Sequence, residues 1–355
     1  MLFMSHSSED DVIGDRNRLG RAHEGRFAAF DHVIELDLQV RLTVDVVPER
    51  GGVGDDASNM VEALAHAKLA DLVIVVAADA ASEGVDKSCM SLNASCFANA
   101  AIDLAGSSFP ALKYGDQDAL ITAVSAVSPG KVVVVLETGA PVLTPWRDSV
   151  AAILEAWYPG QQGGTAIASL LFGDAEPGGR LPATFPARYS DVPTAKGGAA
   201  RYPGVLTLSG GHVFQENYSE DVFVGYRWYD TQSLTPAFPF GFGLSYTRFD
   251  FSSLAINGRT VTATVTNNGG RGGWAVPQLY IGLSASSSIS HPPKQLKGFQ
   301  KLWLDAGQSK TVTFTLNDRA LSYWDGNGWS VSSGCQAVFV GSSSRELPLQ
   351  GQLCS

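Results

Sequence analysis

The sequence reads as an α/β domain built on a doubly wound, mostly parallel sheet, followed by an all-β sandwich. Three observations lead there. Continuous β-branched runs at 72–78 (LVIVVAA) and 131–137 (KVVVVLE) alternate with stretches of helical apolar spacing, the pattern of a parallel sheet covered on both faces. After about residue 250 the strands instead alternate apolar with polar residues, as in 260–266 (TVTATVT) and 310–316 (KTVTFTL). Between the two patterns lies 236–246 (PAFPFGFGLSY), which is too apolar for a free linker and is expected to pack.

Residues 1–57 are the least legible. Val40, Leu42, Val44 and Val46 share one face of a strand-like stretch, and a Gly-rich loop follows. From 59 to 70 apolar residues recur at helical spacing (Met60, Leu64, Ala67, Leu69), and Asp71 then leads into the first buried strand. The unit repeats. Asp116 or Asp118 is placed to cap a helix through Val127, Pro129 and Gly130 break it, and the second buried strand begins at once. A third cycle has strand-like 151–157 (AAILEAW), a loop at 158–164 (YPGQQGG) and a helix to Leu171. Past Asp250, turns such as 267–270 (NNGG) and 325–328 (DGNG) separate the alternating strands at short intervals. That spacing predicts an antiparallel sandwich of immunoglobulin or fibronectin III-like type. Trp274 and Trp324 sit in strand-like contexts there and are expected in its core.

Composition narrows the function classes. The net charge is −10; the residues from Asp250 onward carry 8 Lys/Arg against 5 Asp/Glu, so they are +3 and the first 249 are −13. An acidic body disfavours nucleic acid or an anionic membrane as partner. No apolar run approaches the roughly 18–20 residues of a membrane span. The first residues, MLFMSHSSEDD, lack the basic and apolar stretches of a secretory signal. Cys89, Cys96, Cys335 and Cys354 show no CxxC spacing, so no zinc site is expected. Cys335 and Cys354 are candidates to bridge the last strands, a matter of Cα separation that sequence does not give. Sequons at Asn93 and Asn217 permit glycosylation in a secreted protein.

Several chemistries drop out. There is no GxxxxGK[ST] loop, no GxGxxG after a strand and no GxSxG elbow, and the six histidines are scattered. No cofactor and no metal are expected. The telling stretch is Ser82-Glu83-Gly84-Val85-Asp86-Lys87, just after the first buried strand. It sets an acid at the carboxyl end of a strand, the edge where open α/β sheets bind ligands. The bland reading is a solvated loop carboxylate. Against it, the flanking Ser and Gly make the loop compact, and Asp86 and Lys87 are near enough to tune or orient Glu83. A Glu there serves as general acid if closure of the site raises its pKa by desolvation.

These segments together resemble glycoside hydrolase family 3, the β-glucosidase and β-xylosidase group. The resemblance covers roughly residues 58–352. It is carried in order by 82–87 (SEGVDK), 117–121 (QDALI), 132–139 (VVVVLETG), 157–164 (WYPGQQGG), 171–174 (LFGD), 177–186 (PGGRLPATFP), 224–230 (VGYRWYD), 238–246 (FPFGFGLSY) and 292–299 (PPKQLKGF). It implies an α/β sandwich domain over 58–235, a packed connector over 236–249 and a fibronectin III-like domain over 250–355, with 1–57 matching poorly. It also implies that Glu83 is the general acid/base, with Asp86 and Lys87 supporting its loop. The stretch 88–115 is longer than the family pattern and carries Cys89 and Cys96.

What the chain lacks decides the rest. The family's nucleophile is an aspartate on an N-terminal (β/α)8 barrel, and no matching segment occurs here. A barrel needs about 200 residues or more, which the stretch before the α/β domain does not provide. Retaining glycosidases need two carboxylates about 5–5.5 Å apart, and this chain offers one. The expectation is the C-terminal part of a hydrolase of terminal β-linked glucose or xylose, inactive or nearly so alone. Its partners are a β-linked glycoside and a family 3 barrel domain, and the family favours a secreted or periplasmic location. The alternative is a non-catalytic module that binds carbohydrate or protein; a flavodoxin-like cofactor domain is a weaker third. Trp157, Tyr158 and the loop after them are expected to shape the sheet edge, and Arg227 to anchor the connector.

Overall fold

The computed structural model describes residues 2–4, 57–79, 87, 89–93, 96, 116–202, 204–207, 213–284 and 289–354. The expected strand at 40–46, Glu83, Asp86 and most of 88–115 lie outside the described residues. The chain divides into two compact units, Met1–Ala175 and Glu176–Ser355.

The first unit is the α/β part. Strand β1 (Leu2–Met4) precedes α1 (Ala57–Leu69), β2 (Val73–Ala78), α2 (Gln117–Val127), β3 (Val132–Glu137), β4 (Ala152–Glu155) and α3 (Gly163–Leu171). The sheet order is β1-β4-β3-β2. Strands β2, β3 and β4 run parallel and β1 pairs antiparallel with β4. Val132, Val134, Val135, Leu136, Ile153 and Leu154 are buried, as continuous apolar runs require when both sheet faces are covered. Asp116 caps α2, its carboxylate accepting from Ala119 N at 2.9 Å. At the far end, the Ser128 hydroxyl donates to Ala67 O at 2.6 Å, which ties α2 to the last turn of α1. One expected face shifts. Ala67 is buried, but Leu69 is 77% exposed, because two residues along a helix turn the side chain to nearly the opposite side.

The second unit begins with loop-rich chain holding α4 (Pro193–Gly197), the pair β5 (Val205–Thr207) and β6 (Val213–Gln215), and α5 (Tyr226–Thr231). The 236–246 stretch is packed: Phe185 and Phe238 exchange backbone hydrogen bonds at 2.9 and 3.3 Å, and Phe238 stacks on Phe242. Asp230 at the end of α5 is buried between Lys294 (2.6 Å) and Arg345 (3.0 Å).

The sandwich follows with β7 (Phe249–Asn257), β8 (Thr260–Asn267), β9 (Gly273–Ala275), β10 (Gln278–Gly282), β11 (Gln295–Phe299), β12 (Leu302–Leu304), β13 (Ser309–Thr315), β14 (Ser322–Trp324), β15 (Trp329–Val331), β16 (Cys335–Gly341) and β17 (Leu349–Cys354). Its larger sheets have the orders β11-β10-β16-β17 and β13-β8-β7, all antiparallel. Alternate residues enter the core: Val261, Ala263 and Val265 from β8, Leu279 and Ile281 from β10, Val312 and Phe314 from β13, Val338 and Val340 from β16. The buried Gln278 amide joins this sandwich to the packed stretch, donating to Gly241 O at 3.0 Å.

Both cysteine pairs are disulfides. Cys335 and Cys354 face each other at the end of the β16–β17 ladder with Cα atoms 4.0 Å apart, and Cys89 joins Cys96 across 4.8 Å. The first of these pins the edge strand β17. Closing a loop of 19 residues in the unfolded chain stabilises by about 3 kcal/mol on loop-entropy grounds. Replacing both residues, Cys335→Ser with Cys354→Ser, is expected to lower unfolding free energy by that amount in non-reducing urea titrations. A loss below about 1 kcal/mol would contradict it.

Candidate active site

The carboxyl edge of the parallel sheet gathers polar groups from all three parallel strands. Asp79 follows β2 directly, and its side chain is only 3% exposed. One oxygen accepts from Gly139 N (3.0 Å), beyond β3, and from the Tyr158 hydroxyl (2.8 Å), beyond β4. The other meets Lys87 Nζ at 2.5 Å. A Cβ at Gly139 would lie 2.8 Å from the Tyr158 ring, so a larger residue there would push that ring aside. Of the three residues expected at the site, Lys87 is thus described, as the partly buried cation of an ion pair. Glu83 and Asp86 lie outside the described residues.

A second buried carboxylate sits at the end of β4. Glu155 is 1% exposed and accepts from Trp157 N at 2.9 Å and from the Thr138 hydroxyl at 3.4 Å. Burial pushes its pKa up from 4.5 to about 8. A carboxyl held protonated near neutrality has the acidity of a general acid. Its enclosure argues for another role: a protonated carboxyl closing the strand end, where Trp157 turns with φ +57°. Glu137, the last residue of β3, is also raised by burial.

Helix α2 supports the same edge. The Gln117 amide accepts from Ala78 N (3.0 Å) and donates to Ala78 O (2.7 Å), extending the end of β2. Asp118 accepts from Leu92 N (2.9 Å) and from Trp146 Nε1 (2.8 Å), and burial raises its pKa. Sequence reasoning singled out Lys87, Trp157 and Tyr158 but missed Asp79 and Glu155. The signal for Glu155 was present: a lone carboxylate ending an apolar run. Arg227 donates to Val222 O at 3.5 Å and lies over the Tyr226 ring, contacts that fasten loop to helix. Among the described residues no group of three or more His, Cys, Asp or Glu is arranged to hold a metal, and no helix is long and apolar enough to cross a membrane.

Comparisons with known proteins agree in outline. The profile described as Glycosyl hydrolase family 3 C-terminal domain matches residues 21–246, and that described as Fibronectin type III-like domain matches 275–344. Thermostable beta-glucosidase B of Acetivibrio thermocellus is 40% identical over 245 residues, covering 66% of this chain and 31% of that protein. An exo-alpha-(1->6)-L-arabinopyranosidase of Bifidobacterium breve is 35% identical over 325 residues, 88% of this chain and 38% of that protein. Among solved structures, DesR, a beta-glucosidase from Streptomyces venezuelae in complex with D-glucose, matches with TM-score 0.72 and 37% identity over 83% of this chain and 35% of that one. The chain spans about a third of the length of these relatives.

Two outcomes follow from the geometry. Asp79→Ala strands the partly buried Lys87 ammonium and is expected to lower stability by about 3 kcal/mol, read by urea unfolding at pH 7; a loss under about 1 kcal/mol would show the pair to be weak. Glu155 has a folded pKa raised above its unfolded value, so its contribution is complete below about 4.5 and is lost as pH rises through about 8. Wild-type stability relative to Glu155→Gln therefore falls across that window, by up to about 1.4 kcal/mol per pH unit. Parallel curves for the two proteins would refute the assignment.

Proposed function

Because the chain belongs to glycoside hydrolase family 3, we propose that it is the C-terminal part of a retaining β-glucosidase-type hydrolase acting on terminal non-reducing β-D-glucosyl or xylosyl residues. The observation that carries this reading is the partly buried Asp79–Lys87 ion pair at the carboxyl end of β2. Glu83 lies between these two residues in sequence, and the carboxyl edge they mark is where such folds bind ligands. In this reading Glu83 is the general acid/base, with Asp86 and Lys87 supporting its loop. Asp79 and Glu155 are structural in this reading, because Gly139 N, the Tyr158 hydroxyl and Trp157 N, which donate to them, belong to the protein's own strand ends.

The chemistry needs a second carboxylate. Glu83 in its acid form gives its proton to the glycosidic oxygen as the bond to the anomeric carbon breaks. An aspartate of a barrel domain attacks that carbon from the opposite face, forming a covalent glycosyl ester. Glu83, now ionised, takes a proton from water as the water displaces the ester and restores the aspartate. The share of its relatives that this chain covers supports a nucleophile supplied by a domain outside it.

The test is hydrolysis of an aryl β-glucoside. The purified chain alone is expected to show no turnover, and the chain joined to a family 3 barrel to show it. Glu83→Gln in the joined protein is expected to lower kcat by roughly 10²–10⁴-fold, the ordinary worth of a general acid. The effect should be smaller for leaving groups that need no proton. Turnover by the chain alone, abolished by Glu83→Gln, would overturn the reading.

A further inference from the structure

One feature of the β-sandwich departs from expectation. Trp324 does not enter the core. It and Trp329 are 51% and 52% exposed, and they stand directly opposite each other on β14 and β15. Opposed residues of an antiparallel pair share one face, so both indoles project from the same side of the hairpin. Their ring centroids lie 5.5 Å apart with the planes at 64°, forming an open corner. The Arg319 guanidinium lies over the face of Trp329, which sets its N–H donors against that ring.

The hairpin is also densely hydrogen-bonded. Asp325 accepts from Asn327 N and Gly328 N, both at 2.9 Å, and from the Ser330 hydroxyl at 2.6 Å. Its own N–H donates to Gly328 O at 3.0 Å, and Gly326 takes φ +102°, a conformation other residues rarely adopt. At the base, the Ser322 hydroxyl donates to Asp318 O at 2.6 Å, next to the buried Leu321. Such a scaffold holds the two rings in place without burying them.

We propose that the Trp324–Trp329 hairpin is a carbohydrate-stacking surface that takes a β-linked gluco-oligosaccharide. Size argues for a small ligand. Half of two indoles amounts to roughly 250 Å² of apolar surface, whereas a stable protein interface needs about 800 Å² per partner. Chemistry argues for a sugar. A β-glucosyl ring carries its hydroxyls around the rim and presents axial C–H groups on its faces. Those faces fit the electron-rich face of an indole, and the rim fits a charged donor such as Arg319, which covers one face of Trp329 and leaves Trp324 and the other face open. The choice of a β-linked glucan rests on the proposed function above, while the stacking surface itself rests on the hairpin alone.

The experiment titrates the 355-residue chain with a β-1,4-linked glucopentaose, following indole resonances by NMR. Saturable binding is expected, weakened by about tenfold or more in both Trp324→Ala and Trp329→Ala. Trp324→Tyr, which keeps a ring, should retain most of the affinity. Thermal melts show that each variant is folded. Absence of saturable binding, or binding that survives both alanine substitutions unchanged, would overturn the proposal. So would self-association of the wild-type chain that both substitutions abolish, since a second copy would then cover the rings. Binding at the hairpin and hydrolysis by the barrel-joined protein are read separately, so failure of one does not mimic failure of the other.

Discussion

The α/β unit depends on one buried carboxylate. Taking Asp79 out of water costs several kcal/mol unless its oxygens are met by well-placed donors. Those donors come from beyond β3 (Gly139 N), beyond β4 (the Tyr158 hydroxyl) and from Lys87. They meet only if the three parallel strands end together, as the register Ala78↔Glu137 and Leu136↔Glu155 arranges. The interaction therefore fixes the sheet edge at both chain positions, 79 and 87, that flank Glu83 in sequence. Glu155, protonated and closed in by Trp157 N and Thr138, completes the same edge without adding charge to it.

Much of the fold was legible because its signals are local. The runs at 72–78 and 131–137 became β2 and β3 with only their starts moved by one residue, and Asp116 is the cap that one of two candidates offered. The alternation at 260–266 and 310–316 became β8 and β13, paired to each other. Failures came where tertiary contact outranks pattern. Leu69 fits a helical period yet faces water, and Trp324 fits a core strand yet projects from an edge hairpin. The loop-rich chain from 176 to 235 has no clear period, so only the apolar 236–246 stretch signalled packing in a segment that shares one unit with the sandwich.

The candidate site was legible in a different measure. Lys87 stood out because its segment resembles a family pattern. Asp79 did not, since a lone aspartate after a strand looks solvated and its partner Tyr158 is 79 residues away. Long-range hydrogen bonds of that kind leave no trace in composition or spacing. The disulfide of Cys335 with Cys354 was legible as a candidate bridge of the last strands, and the 4.0 Å Cα separation bears it out.

The central claim is a division of labour: a proton donor in this chain and an attacking aspartate elsewhere. Trapping tests it most directly. A 2-deoxy-2-fluoro β-glucoside with a good leaving group slows breakdown of the glycosyl ester, so the attacking residue stays labelled. On the barrel-joined protein, peptide mass spectrometry should find the label on an aspartate of the barrel and none on residues 1–355. A label on any carboxylate of these 355 residues would contradict the account.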